Sequence, residues 1–182
     1  KINFAPDGKL LGAQVVGFDG VDKRIDLLAQ VIGNGGSIYD LQEIEHAYAP
    51  PFSSAKDPVN MAGFIAENIL TNRVKVIHWS DMLEVESDAM ILDVRTKEEF
   101  EFGHIGNAVN IPVDELRDRL AEIPVNKPIY VYCAVGLRGY TASRILLQHG
   151  YTTVYNLSGG YKTYSCVQQD QRSVGGDIGV EC

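Results

Sequence analysis

Residues Ile129–Gln148 read Ile-Tyr-Val-Tyr-Cys-Ala-Val-Gly-Leu-Arg-Gly-Tyr-Thr-Ala-Ser-Arg-Ile-Leu-Leu-Gln, and this stretch decides the fold of the chain. Its first four residues are β-branched or aromatic, which predicts a buried strand that ends at Cys133. A turn containing glycine follows, and the apolar spacing after it predicts a helix from Tyr140 to His149. A strand that leads through a tight loop into a helix directs several unpaired N–H groups toward one point. Such a geometry binds anions.

Cys133 stands at the start of this loop. The unpaired N–H groups and the helix dipole favour a thiolate, which is the nucleophilic form of cysteine. We therefore predict that Cys133 is catalytic and that the backbone amides of the following residues point inward and cradle an anion on its sulfur: Ala134, Val135, Gly136, Leu137 and Gly139. Arg138 is also predicted to be catalytic as a fixed cation, or to point outward and brace the loop by pairing with a carboxylate. The alternative is that Cys133 is a small buried side chain with no chemistry.

The composition excludes several classes of protein. The chain has 182 residues and a net charge of −8 without a basic cluster, so nucleic acid and anionic membrane surfaces are not expected partners. Its apolar runs are much shorter than the roughly 20 residues that span a bilayer. The three cysteines lie far apart and show no spacing suited to zinc, so we predict no metal site and a reducing, cytoplasmic location.

The second half of the chain alternates short apolar runs with helical patterns. Strands are predicted at Val74–Ile77, Ala89–Val94, Ala108–Ile111, Ile129–Tyr132 and Thr153–Leu157. Helices are predicted after the Thr96–Glu99 capping box and over Pro112–Leu120. This alternation predicts an α/β fold with a parallel sheet and helices on both faces.

In such sheets the ligand site lies beyond the carboxyl ends of the strands. Asp93, Arg95 and Cys133 all stand at such ends. Asp93 is predicted to belong to the site, where it orients Arg95 or Arg138. The alternative is that Asp93 only caps the turn at the end of its strand.

Five short motifs follow one another between about Val74 and Tyr164. They are Asp93-Val-Arg95, Gly103-His-Ile105, Asn110-Ile-Pro112, the loop from Cys133 to Gly139, and Ser158-Gly-Gly160. In this order they resemble the rhodanese family. The resemblance implies a sulfurtransferase that carries sulfane sulfur as a persulfide on Cys133, taken from a small sulfane-sulfur donor and given to a thiol acceptor.

The loop departs from the pattern of many active rhodaneses at two positions. Ala134 stands where they carry Arg, and Gly139 stands where they carry Ser or Thr, which removes a cation and a hydroxyl from the rim. An inactive rhodanese-like docking module is therefore an alternative. A cysteine-dependent phosphatase is disfavoured, because phosphatases of this fold resemble Cys-x5-Arg and four residues separate Cys133 from Arg138 here.

The first seventy residues have a different pattern. The turn Pro6-Asp-Gly8 separates two short apolar runs, Lys1–Phe4 and Leu10–Phe18, and predicts a β-hairpin. Helices are predicted over Val21–Ile32, from a Ser37 cap to Ile44, and from Asp57 to Leu70. The exposed strand edge of this thin core predicts missing chain or a partner.

This segment resembles the carboxy-terminal part of the dimerisation domain of flavin-dependent disulfide reductases. The motifs that carry the resemblance are Lys9–Gln14, Gly20–Ile25 and Tyr48–Pro58, and they point to the coenzyme A disulfide reductase and NADH oxidase branch. The resemblance implies a homodimer of the full-length enzyme in which Tyr48 reaches the partner subunit's coenzyme A site. The alternative for Tyr48 is a packed aromatic beside two prolines.

Three segments are therefore predicted: part of a dimerisation domain at 1–72, a rhodanese-like domain at 73–165, and a tail or linker at 166–182. The resemblance implies that the chain is a piece of a larger polypeptide and binds no cofactor by itself. FAD, NAD(P)H and coenzyme A are implied for the full-length enzyme, together with its flavin domains.

Overall fold

The computed structural model describes residues 1–51, 53–85 and 87–175. It divides into two compact units, Lys1–Arg73 and a second unit that begins at Val74. In the described ranges no helix combines the length and the apolar character that crossing a membrane requires. The same ranges contain no group of three or more His, Cys, Asp or Glu side chains arranged to hold a metal ion.

The first unit consists of a hairpin and three helices. Its elements are β1 Ile2–Phe4, β2 Leu10–Ala13, α1 Val21–Gly33, α2 Ile38–Glu43 and α3 Pro58–Leu70. The predicted hairpin and helices are confirmed, except that β2 ends at Ala13 rather than at Phe18. Ala13 pairs with Ile2, and the Gln14 N–H donates to the carbonyl of Lys1.

Two predicted caps define the helices of this unit. Ser37 and Asp40 form a capping box at α2, as the sequence indicates. At α3, the buried carboxylate of Asp57 accepts a hydrogen bond from the Val59 N–H at 3.1 Å and pairs with Arg24 at 3.0 Å. The small core that these helices enclose is formed by Leu10, Leu28, Ile38, Leu41, Val59 and Ala66.

The second unit is a five-stranded parallel sheet flanked by helices, as predicted. The strands are β3 Lys75–Ile77, β4 Met90–Asp93, β5 Val109–Asn110, β6 Ile129–Tyr132 and β7 Val154–Leu157, in the spatial order β3-β7-β6-β4-β5. The helices are α4 Lys97–Glu101, α5 Leu137–Gln148 and α6 Gly160–Gly175. Short 3₁₀ turns cover Asp81–Leu83 and Leu120–Glu122.

Strand β6 lies at the centre of this sheet, between β7 and β4. Ile129, Val131 and Tyr132 are fully buried, because the strand is covered on both faces. Asp93 is the register partner of Tyr132, and Asn156 is the register partner of Val131. The residues that follow these strands therefore meet at one edge of the sheet, which is where the sequence places the site.

The prediction of a helix over Pro112–Leu120 is wrong. Residues 113–119 form successive turns, closed by hydrogen bonds between residues three apart, such as those from Glu115 to Pro112 and from Asp118 to Glu115. The Val113 N–H donates to the carbonyl of Val94 and ties the segment to the sheet edge. Because of this hydrogen bond to the sheet, the backbone at the start of the segment does not follow a regular helix.

The tail or linker predicted at 166–182 stays a prediction, but its residues up to 175 form a helix. Helix α6 runs from Gly160 to Gly175, and Tyr161 and Tyr164 pack on a cluster that contains Tyr132 and Leu157. This contact anchors the first turns of the helix, so the polar sequence after it continues as helix. Residues 176–182 lie outside the described residues.

Candidate active site

Cys133 directly follows β6 and is almost completely buried, with 1 % of its surface exposed. Its Sγ atom accepts a hydrogen bond from the N–H of Gly136 at 3.1 Å. Gly136 has a φ of 130°, a conformation that favours glycine, and this lets the chain curl back over the sulfur within three residues. The predicted inward-pointing amide is thus observed at Gly136.

Helix α5 begins at Leu137, three residues before its predicted start. Leu137, Arg138 and Gly139 form its first turn, where N–H groups have no acceptor within the helix. The first helical bond runs from the Tyr140 N–H to the carbonyl of Gly136 at 2.8 Å. The positive end of the α5 dipole therefore lies at the loop that holds the sulfur.

The predicted cradle residues are placed differently from one another. The side chains of Val135 and Leu137 are 60 % and 69 % exposed, so the outer face of the loop is apolar. Gly139 is buried, and a Cβ atom there would collide with the side chain of Asn156. Gly139 is therefore a packing position inside the domain, and a hydroxyl side chain at this position would not lie on the rim of the loop.

Arg138 forms a bidentate ion pair with Glu99, with Nη1 donating to Oε2 at 2.6 Å and Nη2 to Oε1 at 2.8 Å. Hydrogen bonds to Glu99 raise the pKa of Arg138 against the effect of burial, and the charge of Cys133 acts in the same direction. Of the two roles predicted for Arg138, the structure has the brace to a carboxylate.

Asp93 and Arg95 form a second, buried ion pair, in which Nη2 of Arg95 donates to Oδ2 of Asp93 at 2.6 Å. Arg95 also donates to the carbonyl of Gly103 at 2.7 Å, and its guanidinium lies over the ring of Tyr161 at 4.2 Å. Burial lowers the pKa of Arg95, but the hydrogen bonds of Asp93 outweigh it and raise that pKa. Asp93 therefore orients Arg95, while Arg138 has another partner.

The sequence analysis did not identify the residues that donate hydrogen bonds to the backbone carbonyls of the loop after Cys133. The N–H groups of Tyr161 and Lys162, at the start of α6, donate to the carbonyls of Cys133 and Ala134 at 2.8 and 3.0 Å. The side-chain amide of Asn156 donates to the carbonyl of Gly136 at 3.2 Å. The only signal for Asn156 is that it is a polar residue within an otherwise apolar strand.

Residues 79–165 match the family model described as a rhodanese-like domain. A protein of Allochromatium vinosum described as a sulfurtransferase is 34 % identical over 91 residues, which cover 50 % of this chain and 85 % of that protein. The chain belongs to the rhodanese-like domain family. The loop from Cys133 to Gly139 lies within the matched residues.

Two solved structures are similar to more than the rhodanese-like domain. The Bacillus anthracis protein described as reduced CoADR-RHD is 46 % identical with a TM-score of 0.89, and the match covers 93 % of this chain and 30 % of that one. A NAD-dependent persulfide reductase from A. fulgidus is 40 % identical with a TM-score of 0.77, covering 86 % and 28 %. This chain thus spans less than a third of either protein. Both matches are longer than either unit alone, so each includes residues of both units.

Tyr48 belongs to the first unit, in the segment between α2 and α3, and is half exposed. Its role toward a partner subunit's coenzyme A site stays a prediction. Phe52, within the Tyr48–Pro58 motif, lies outside the described residues.

Replacing Gly160 with Ala is expected to reduce sulfur transfer by the rhodanese-like domain strongly and to lower its free energy of unfolding by more than about 1 kcal/mol. Gly160 has a φ of 57°, and a Cβ atom there would collide with the backbone of Cys133 and Ala134. Gly106→Ala is the matched control, because its φ of 40° is also positive but no atom lies within 4 Å of the added Cβ. Equal activity of the two variants, measured as thiocyanate formation, would contradict the proposed close fit.

The ion pair of Glu99 predicts a pH dependence of stability. The hydrogen bonds from Arg138 lower the pKa of Glu99 from 4.5 to about 2. A lowered folded-state pKa contributes stability that is complete above about pH 4.5 and is lost as the pH falls toward 2. We expect Glu99→Gln to be less stable than the wild type near neutral pH and the difference to shrink in this window, as measured by urea unfolding. Gln preserves the capping box with Thr96, so a difference that does not vary with pH would exclude the charge as its cause.

Proposed function

We propose that this chain is a sulfurtransferase module that carries sulfane sulfur as a persulfide on Cys133. One observation carries the proposal: the thiol lies at the carboxyl end of the central strand, 3.1 Å from the Gly136 N–H and at the N-terminus of α5. This arrangement favours a negative charge on a sulfur atom. The membership of the rhodanese-like family supports the same reaction type.

The reaction has two balanced steps. The Cys133 thiolate attacks the outer sulfur of the donor, a new S–S bond forms, and the donor's S–S bond breaks with its electron pair on the remainder of the donor. An acceptor thiolate then attacks the outer sulfur of the persulfide, and Cys133 is released as a thiolate. In both steps the Gly136 amide and the dipole of α5 stabilise the sulfur anion.

The other predicted site residues act around this reaction. Arg138 braces the loop against α4 through its ion pair with Glu99. Asp93 acts as a positioning residue, because it holds Arg95 against Tyr161, whose N–H in turn supports the carbonyl of Cys133. Four residues separate Cys133 from Arg138, one fewer than in the phosphatases of this fold, which supports sulfur transfer over phosphate-ester hydrolysis.

We further infer that the module belongs to a flavin-dependent coenzyme A disulfide, persulfide or polysulfide reductase. The two similar reductase-type structures support this, because their matches include both units of this chain. In such a homodimeric enzyme, FAD, NAD(P)H and coenzyme A would be held by other parts of the polypeptide, with Tyr48 at the partner subunit's coenzyme A site. A shared polypeptide would raise the local concentration of the sulfur carrier to about the millimolar range.

The proposed function is tested by intact-mass analysis of the chain after separate incubation with coenzyme A persulfide, polysulfide and thiosulfate. We expect a gain of one sulfur atom with at least one donor, and its loss on treatment with cyanide. The donor that loads the chain fastest identifies the preferred substrate. No gain with any donor would favour an inactive docking module, and turnover of an aryl phosphate would favour a phosphatase.

A further inference from the structure

We propose that Glu99 determines donor selectivity at Cys133, because it neutralises Arg138 and so disfavours small inorganic dianions as sulfur donors. This inference rests on the proposed sulfur transfer and concerns a residue that the sequence identifies only as a helix cap. The donors that it favours are those with less charge next to the sulfane sulfur.

The contacts of Glu99 show that it is held in place. One oxygen accepts hydrogen bonds from the Thr96 N–H at 3.0 Å and from Arg138 at 2.6 Å, and the other accepts from Arg138 at 2.8 Å. The backbone bond fixes the carboxylate to the first turn of α4, so it is not a freely rotating surface group. Both terminal nitrogens of the guanidinium are engaged, which leaves Arg138 less able to grip an incoming anion in the same bidentate way.

The position of Arg138 makes its charge relevant to the reaction. It lies in the first turn of α5, five residues after the nucleophile, and its guanidinium carries a full positive charge. A carboxylate in direct contact cancels most of this charge at distances of several ångströms. An approaching dianion loses twice the attraction that a monoanion loses, because the Coulomb energy is proportional to its charge.

The outer face of the loop supports the same selectivity. Val135 and Leu137 are exposed and apolar, and Ala134 carries no charge either. These side chains offer a small dianion no hydrogen bonds or charge in place of the water that it must lose. A donor whose sulfane sulfur is joined to an organic group gains apolar contact with the same residues.

The test compares two donors that differ by one charge, with cyanide as the acceptor. Thiosulfate is a dianion that leaves as sulfite, and benzenethiosulfonate is a monoanion that leaves as benzenesulfinate. In both, the sulfane sulfur passes to the Cys133 thiolate and then to cyanide, which gives thiocyanate and restores the thiolate. The variant is Glu99→Gln, which removes the charge while Gln keeps the capping box of α4.

We expect Glu99→Gln to raise kcat/KM for thiosulfate about tenfold and to raise kcat/KM for benzenethiosulfonate clearly less. The gain should decrease with added salt, which screens the exposed charge. Glu122→Gln is the matched control and should change neither value. Glu122 also forms a bidentate pair with an arginine, Arg119, at 2.7 and 2.8 Å, but it lies near Met90, at the other end of β4 from the site.

Equal effects on the two donors, or a loss of thiosulfate activity in Glu99→Gln, would overturn the inference and leave sulfur transfer itself intact. If Glu99→Gln does not fold, the inference is tested by the salt dependence of kcat/KM in the wild type. A kcat/KM for benzenethiosulfonate that is constant or rises with added salt supports an Arg138 neutralised by Glu99. A steep fall with added salt overturns the inference. If neither protein forms a persulfide with either donor, the proposed function fails as well.

Discussion

Cys133→Ser is expected to reduce cyanide-dependent sulfur transfer to the uncatalysed rate. A serine hydroxyl has no thiolate form and cannot hold a sulfane sulfur, so both steps of the reaction are lost. The fold should survive, because a hydroxyl accepts the hydrogen bond that the Gly136 N–H gives to Sγ. The measurement is thiocyanate formation, with urea unfolding as the check on stability.

Cys166→Ser is the matched control for this prediction. Cys166 lies exposed on α6, so its replacement should leave the rate and the mass gain unchanged. Activity in Cys133→Ser that equals the wild type would remove Cys133 from the mechanism. Loss of activity in both variants would instead indicate a second thiol in the reaction.

Of the variants considered, Asp93→Ala is expected to lower the free energy of unfolding most, by about 3–5 kcal/mol. The variant leaves the guanidinium of Arg95 without its carboxylate, at a place where only 4 % of the arginine is exposed. An uncompensated buried charge of this kind is far more costly than a broken surface pair. Glu122→Gln, which breaks an exposed pair, should cost far less stability than Asp93→Ala.

A double variant separates the charge from the lost volume. Asp93→Leu combined with Arg95→Met removes both charges and should be less destabilised than Asp93→Ala alone. The comparison is made by the midpoint and slope of urea unfolding. The losses of stability in Asp93→Leu alone and in Arg95→Met alone are measured as well. If the double variant loses as much stability as these two losses added together, the pair does not act through its charges.

The sequence predicts the parts of the fold that depend on local pattern. The apolar run Ile129–Tyr132 is central and buried, and its end places Cys133 beside the strand that ends at Asp93. The capping boxes at Ser37 and Thr96 are confirmed, because they need only residues three apart. Local patterns therefore place Cys133 and Asp93 at the ends of strands, and the parallel pairing of β4 and β6 brings these ends together.

The parts that the sequence does not predict depend on contacts between distant residues. Glu99 in α4 and Arg138 in α5 are 39 residues apart, and they meet because the strands that precede these helices, β4 and β6, are neighbours. Gly139 suggests a loop by its low helix propensity, but it lies inside α5, where Asn156 leaves no room for a side chain. Tertiary packing overrides local propensity at these positions.

The hydrogen bonds from the start of α6 to the carbonyls of Cys133 and Ala134 have a thermodynamic consequence. The geometry of the loop after Cys133 therefore depends on a helix that follows the last strand of the sheet. Fraying of that helix should release the loop while the sheet is still intact. Heat inactivation is therefore expected to set in below the melting temperature of the domain as a whole.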